Sequence, residues 1–159
     1  TIFNEGWGQF DSHKLLPFVL KLDATRLIDV NSGWHDMGLG EFRSDHVYFR
    51  KYRFKKDKLD RCVILSEFGG YAHLIPGHYY GVANFGYRKY ATKEALEKAI
   101  INLYENEIIP SVKKGLAAAI YTQLSDVEDE LNGMLTYDRK VVKIDSKVMR
   151  ELNRKLISE

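Results

Sequence analysis

Short apolar runs separated by polar stretches dominate this chain, with no long heptad repeat. Runs that suit buried parallel strands fall at residues 1–3, 27–30, 46–49, 62–65 and 117–124, and each ends in polar residues. The clearest helical pattern lies between the last two. Thr92 suits an N-cap, Leu96, Ala99, Ile100, Leu103 and Ile108 make one apolar stripe, and Gly115 supplies a stop. Pro110 is expected to bend or shorten the final turns. Residues 11–22 and 146–157 are weaker helix candidates; in the second, Val148, Met149, Leu152 and Leu156 share a face. The order strand, helix, strand, strand, strand, helix, strand, helix predicts a parallel α/β sheet. Right-handed crossovers then put the functional loops at the C-terminal ends of the strands.

Composition narrows the class. The 24 Lys and Arg nearly balance 22 Asp and Glu, and no apolar stretch approaches about 18 residues. A membrane span and a nucleic-acid binder built on charge alone are therefore not expected. With 45% hydrophobic and 13% aromatic residues the chain is not disordered, and its 159 residues suit one domain. No repeat, low-complexity tract or linker divides it. The single cysteine, Cys62, excludes an intramolecular disulfide framework, fits a reducing cytoplasmic setting and, opening an apolar strand, is expected to be a small core residue. The first residues, Thr1-Ile2-Phe3-Asn4-Glu5-Gly6-Trp7, have neither an initiator Met nor the basic region of a signal peptide, so the chain is expected to start mid-protein.

The strand ends carry the chemistry. They read Asn4-Glu5-Gly6-Trp7-Gly8-Gln9, then Asn31-Ser32-Gly33-Trp34-His35-Asp36, then His46-Val47-Tyr48, then Ser66-Glu67-Phe68-Gly69-Gly70-Tyr71, and last Thr122-Gln123-Leu124-Ser125-Asp126-Val127-Glu128. Glu5 and Glu67 each terminate an apolar strand and are followed by an aromatic and glycines, an unfavourable place for a charge unless something compensates. Retaining glycoside hydrolysis uses such a pair, about 5 to 5.5 Å apart: one carboxylate attacks the anomeric carbon, the other protonates the departing oxygen and later activates water. An ionised nucleophile disfavours ionisation of its neighbour, which keeps its proton as general acid. Trp7, Trp34 and Tyr71 offer aromatic faces to the apolar side of a sugar ring, or pack at the mouth of the fold.

These stretches resemble the C-terminal part of the catalytic domain of glycoside hydrolase family 2, the β-galactosidase and β-glucuronidase family. Asn-Glu closing one strand and Ser-Glu-Phe-Gly-Gly closing another about sixty residues later carry the likeness, together with His46-Val47-Tyr48 and the run from Thr122 to Glu128. The resemblance spans essentially the whole chain. It implies a partial TIM (β/α)8 barrel, strands four to eight, lacking the N-terminal strands and accessory domains. In it Glu5 matches the acid/base, Glu67 the nucleophile, Asn4 the residue holding the sugar 2-hydroxyl, and Tyr48 the tyrosine that hydrogen-bonds the nucleophile. Trp34, His35, Asp126 and Glu128 are candidate substrate contacts. Glucuronidases of the family carry Asn-x-Lys where this chain reads Asn132-Gly133-Met134, so a galactosidase-like enzyme acting on a neutral β-glycoside is expected.

The remaining features are read plainly. The five histidines lack metal-site spacing, so packing or surface roles and no catalytic metal or cofactor are expected. The run from Arg50 to Lys58 interleaves basic and aromatic residues, but a solvated connection between strands explains it better than nucleic-acid binding. The competing class is a non-catalytic sugar-binding or assembly fragment. A partial barrel leaves unpaired edges, so pairing with the N-terminal part of the same enzyme, or self-association, is expected, with weak activity for the fragment alone.

Overall fold

A computed structural model describes residues 1–82 and 84–157. The chain forms β1 (Phe3–Asn4), α1 (Ser12–Leu22), β2 (Asn31–Ser32), β3 (Phe42–Val47), β4 (Cys62–Gly69), β5 (Tyr71–Ala72), β6 (Arg88–Lys89), α2 (Lys93–Leu103), α3 (Ile109–Val112), β7 (Leu116–Thr122) and α4 (Ser146–Ile157). Every pairing between these strands is parallel: β1 with β2, β5 with β6, and β3, β4 and β7 in one three-stranded sheet with β4 in the middle. The Gly33 amide donates to the Ser44 carbonyl at 3.2 Å, which ties the end of β2 to β3. Mixed helices and small parallel sheets are thus the observed class.

One face of the central sheet carries the core. Val63, Leu65 and Phe68 of β4 are buried against Leu96, Ile100 and Leu103 of α2, with Tyr104, Ile108, Ile144 and Leu152 completing the cluster. Thr92 Oγ1 accepts the Ala95 amide at 3.2 Å, which makes it the N-cap the sequence predicts. Beyond Leu103 the helix widens into a π-helical segment, Tyr104–Ile108, and Pro110 sits in the first turn of α3. Proline has no amide to give the carbonyl one turn back, so the α-helical ladder is interrupted there. Gly115, at φ +113, ends the element. Helix α4 covers residues 146–157 as expected, and α1 begins one residue later than the pattern suggests.

The strands differ from expectation in instructive ways. The second is displaced: residues 27–30 are irregular and the paired residues are Asn31 and Ser32, although the Ile2 and Phe3 amides still donate to the Asp29 and Val30 carbonyls. The third starts at Phe42, not at His46, because its inward residues are Ser44 and His46; a search for apolar runs passes over a strand whose buried side is polar. The paired pieces β5 and β6 are too short to leave a pattern. Cys62 is exposed at the start of β4, correcting its expected place in the core; alternation gives the buried positions to Val63 and Leu65. Among the described residues no helix is long and apolar enough to cross a membrane.

One irregularity positions the chemistry. Along β3 and β4 the register runs Asp45 with Leu65 and then His46 with Glu67, so Ser66 is an extra residue on β4. Strict alternation would put Glu67 on the core side with Leu65. The bulge instead turns Ser66 and Glu67 to the side of Ser44 and Tyr48, and returns Phe68 to the core.

Candidate active site

Glu5 and Glu67 converge on one histidine. Glu5 follows β1 in a left-handed turn at φ 56, an unfavourable conformation for a residue with a β-carbon, and its amide donates to the Ser32 carbonyl at 2.7 Å. His46 Nδ1 lies 3.4 Å from Glu5 Oε1 and 3.2 Å from Glu67 Oε2. One carboxylate oxygen from each glutamate and a ring nitrogen of His46 all lie within 4.8 Å of one another. Both carboxylates stay partly open, at 20% and 28% side-chain exposure, whereas the imidazole is fully covered.

Behind the histidine stands a hydroxyl cluster from three strands. Ser32 Oγ is 2.9 Å from His46 Nε2 and donates to Ser66 Oγ at 3.1 Å. Ser44 Oγ is 3.2 Å from Ser32 Oγ and 2.5 Å from Ser66 Oγ, and Ser66 donates in turn to the Asp45 carbonyl. His46 Nε2 thus faces Ser32, the direction of that bond depending on the ring tautomer, and Nδ1 faces the two carboxylates. Those contacts are attractive when a proton lies between nitrogen and oxygen. Gly33, at φ +104, makes room: a β-carbon there would stand 2.9 Å from His46 Nδ1 and 3.1 Å from Glu5 Cα.

Tyr48 reaches the same Glu67 oxygen, Oε2, that His46 approaches. The phenol is buried, with Oη 2.5 Å from Glu67 Oε2 and 3.0 Å from Thr122 Oγ1. Burial, and then the hydrogen bond to Glu67, push the Tyr48 phenol well above its ordinary pKa, so it stays protonated and donates to the carboxylate. Tyr87 stacks on Tyr48 with centroids 3.8 Å apart and planes 4° apart, and burial together with the Glu5 and Glu67 charges raises its pKa too. A β-carbon on Gly70 would strike the Tyr87 ring, so glycine is required beneath the stack.

The other predicted residues divide. Trp7 Nε1 donates to Glu5 Oε2 at 3.2 Å, and Trp7 and Trp34 meet edge to face at 6.0 Å with both rings largely exposed beside the carboxylates. His35 is exposed and packs against Gly6. Asn4 is exposed at the end of β1. Asp126 is not brought to this cluster as a free contact. It is 2% exposed, with both carboxylate oxygens 2.6 Å from Lys143 Nζ and Oδ1 accepting the Gly133 amide at 2.8 Å. Glu128 is exposed in the turn closed by the Val127 and Glu130 backbones, at φ 50. Sequence reasoning passed over His46, the three serines, Thr122 and Tyr87. Polar residues at 44, 46 and 48 have strand period, and that alternation is the signal that reveals a polar inner face.

Among the described residues, Glu5, His46 and Glu67 are the group with ligand atoms close enough to hold a metal ion. The same three groups can equally share and transfer a proton across the short gap between the carboxylates. Comparison with protein-family models found no match, and a search of curated proteins found none either.

Proposed function

We propose that this chain is the C-terminal portion of the catalytic (β/α)8 barrel of a retaining β-glycoside hydrolase that acts on a neutral, galactose-like sugar. On this reading β1, β2, β3, β4 and β7 are strands four to eight, in sequence order. The observation that supports it is the approach of a Glu5 oxygen and a Glu67 oxygen to within 4.8 Å. Retention uses carboxyl groups about 5 to 5.5 Å apart, whereas inversion needs about 6.5 to 9.5 Å to admit a water between carboxylate and sugar.

The chemistry then follows from the geometry. Glu67 attacks the anomeric carbon while Glu5 gives its proton to the departing glycosidic oxygen, leaving the sugar esterified to Glu67. Water next gives a proton to the Glu5 carboxylate and adds to the anomeric carbon, which frees Glu67 and restores the β configuration. Tyr48 orients Glu67 through its hydrogen bond. By the family resemblance Asn4 holds the sugar 2-hydroxyl, and the exposed Trp7 and Trp34 rings provide apolar faces for the ring carbons. Both reacting groups belong to the chain, so the reaction calls for no cofactor.

The second reading, an assembly or sugar-binding fragment, draws on the open side of the same site. A hollow of about 560 Å³ adjoins Glu67 on the inner side of the sheet, lined also by Ile2, Asn4, Ile64, Ser66 and Ile120, and Ile120 is 58% exposed. The N-terminal part of the same enzyme, adding strands beside β1 and β7, is the proposed partner that covers this face. Hydrolysis of chromogenic β-galactosides, β-glucosides and β-glucuronides by the chain extended N-terminally, compared with the same extended chain carrying Glu5→Gln/Glu67→Gln, separates the readings. The enzyme reading expects fastest cleavage of the galactoside by the extended chain and its loss in the variant. Rates of the extended chain no faster than its variant's on all three substrates refute it.

A further inference from the structure

The opposite face of β3 borders a second cavity. Ser44 and His46 turn toward the carboxylates, so Arg43, Asp45 and Val47 turn away from them, toward the segment 50–55. The β3-to-β4 connection, residues 48–61, contains no helix, and residues 50–53 and 55 of it line a hollow with Arg43, Asp45 and Val47. Its volume is about 380 Å³. Five cations line it, Arg43, Arg50, Lys51, Arg53 and Lys55, against one carboxylate, Asp45. Arg43 Nε stands 3.6 Å from Asp45 Oδ1, which offsets that charge. Among the described residues Arg50, Lys51, Arg53 and Lys55 make no ion pair.

Tyr52 forms part of the wall and is fixed from within. Its ring is buried in the core, and its amide donates to Glu107 Oε2 at 2.7 Å. Its hydroxyl is buried yet has no hydrogen-bond partner among the described residues. The charges that act on this phenol are those of Asp45 and Arg43, both at the cavity. That oxygen is closed even to water, so Tyr52 contributes its ring and backbone to the wall and does not present its hydroxyl to the cavity.

We infer that this cavity binds a small phosphate-bearing anion, gripped by the guanidinium groups of Arg43, Arg50 and Arg53. Guanidinium forks match phosphate oxygens two at a time, and a multiply charged group outweighs Asp45 where a single carboxylate does not. The volume suits a small molecule and excludes a nucleic-acid strand or a folded partner. The inference stands apart from the glycosidase reading.

Isothermal titration of the chain with inorganic pyrophosphate, at about 150 mM salt to screen diffuse attraction, tests it. The expected result is saturable binding of one pyrophosphate per chain. Arg50→Gln/Arg53→Gln should abolish it, and Lys98→Gln, exposed on α2, should leave it unchanged. Absence of saturable heat overturns the inference. So does binding by the double variant as tight as the parent's, or a loss in Lys98→Gln equal to that in the double variant, which marks diffuse surface charge.

Discussion

Replacing Lys143 by Met should cost the fold about 3 to 5 kcal/mol, the usual penalty for stranding a buried charge. Lys143 is wholly buried, and its ammonium group gives all of its hydrogen bonds inside the protein: to Asp126 Oδ1 and Oδ2, each at 2.6 Å, and to the Leu131 carbonyl at 3.0 Å. Without it Asp126 keeps only the Gly133 amide. In a chain of this size 1 kcal/mol moves the melting temperature by about 2 to 4 °C, so a fall of roughly 6 to 20 °C is expected in a thermal melt followed by circular dichroism. Burial raises the Asp126 pKa and lowers that of Lys143, against the pull of the pair. The stranded carboxylate is therefore penalised when ionised, and the deficit should narrow as the pH falls toward about 4. Asp126→Asn/Lys143→Met should recover part of the loss. A single variant that melts within about 2 °C of the parent refutes the reasoning, as does an Asp126→Asn variant that raises KM with no change in melting, which would make Asp126 a substrate contact.

Four further outcomes follow from the same geometry. Tyr48→Phe removes a hydrogen bond to a charged group, about 1.5 to 3 kcal/mol, and keeps the stack on Tyr87, so kcat should fall about 10- to 150-fold with little change in melting; an unchanged kcat contradicts the role given to the phenol. Gly33→Ala forces a β-carbon onto His46 Nδ1 at φ +104, and should lower stability by about 1 to 3 kcal/mol while depressing activity; parent-like melting and rate would show that His46 does not need its place. Arg61 beside Asp57 holds that carboxyl down to about 2, below its unfolded value of about 3.9, so its contribution is complete above about pH 4 and is lost as the pH falls through about 2. Asp57→Asn should flatten that acid limb of melting temperature against pH, and an identical limb in the variant would refute the assignment. Chelator treatment should leave glycosidase activity intact; its loss would assign Glu5, His46 and Glu67 to a metal ion.

Helices were the most legible part of this chain. The stripe from Leu96 to Ile108, with Thr92 before it, states a period and a cap that local physics alone enforces, and α4 has the same transparency. Strands were legible where their buried side is apolar, as at Val63 and Leu65, and misjudged where it is polar, as at Ser44 and His46. The site was half legible. Glu5 and Glu67 stood out as acids at strand ends and Tyr48 only through the family resemblance, and the geometry brings the three together. His46 did not, because its role depends on the Ser66 bulge and on the space left by Gly33, both products of strand register rather than of local pattern. Asp126 misled for the complementary reason. Its partner Lys143 lies seventeen positions away, and nothing near Asp126 in the chain announces that its charge is already matched.

The distance between the two glutamates carries the functional account, and the anomer first released reports on it. Proton NMR of an aryl β-galactoside during early turnover, before mutarotation mixes the products, should show the β-hemiacetal appearing first. Release of the α-hemiacetal first would mean inversion, and would contradict a double displacement at Glu67.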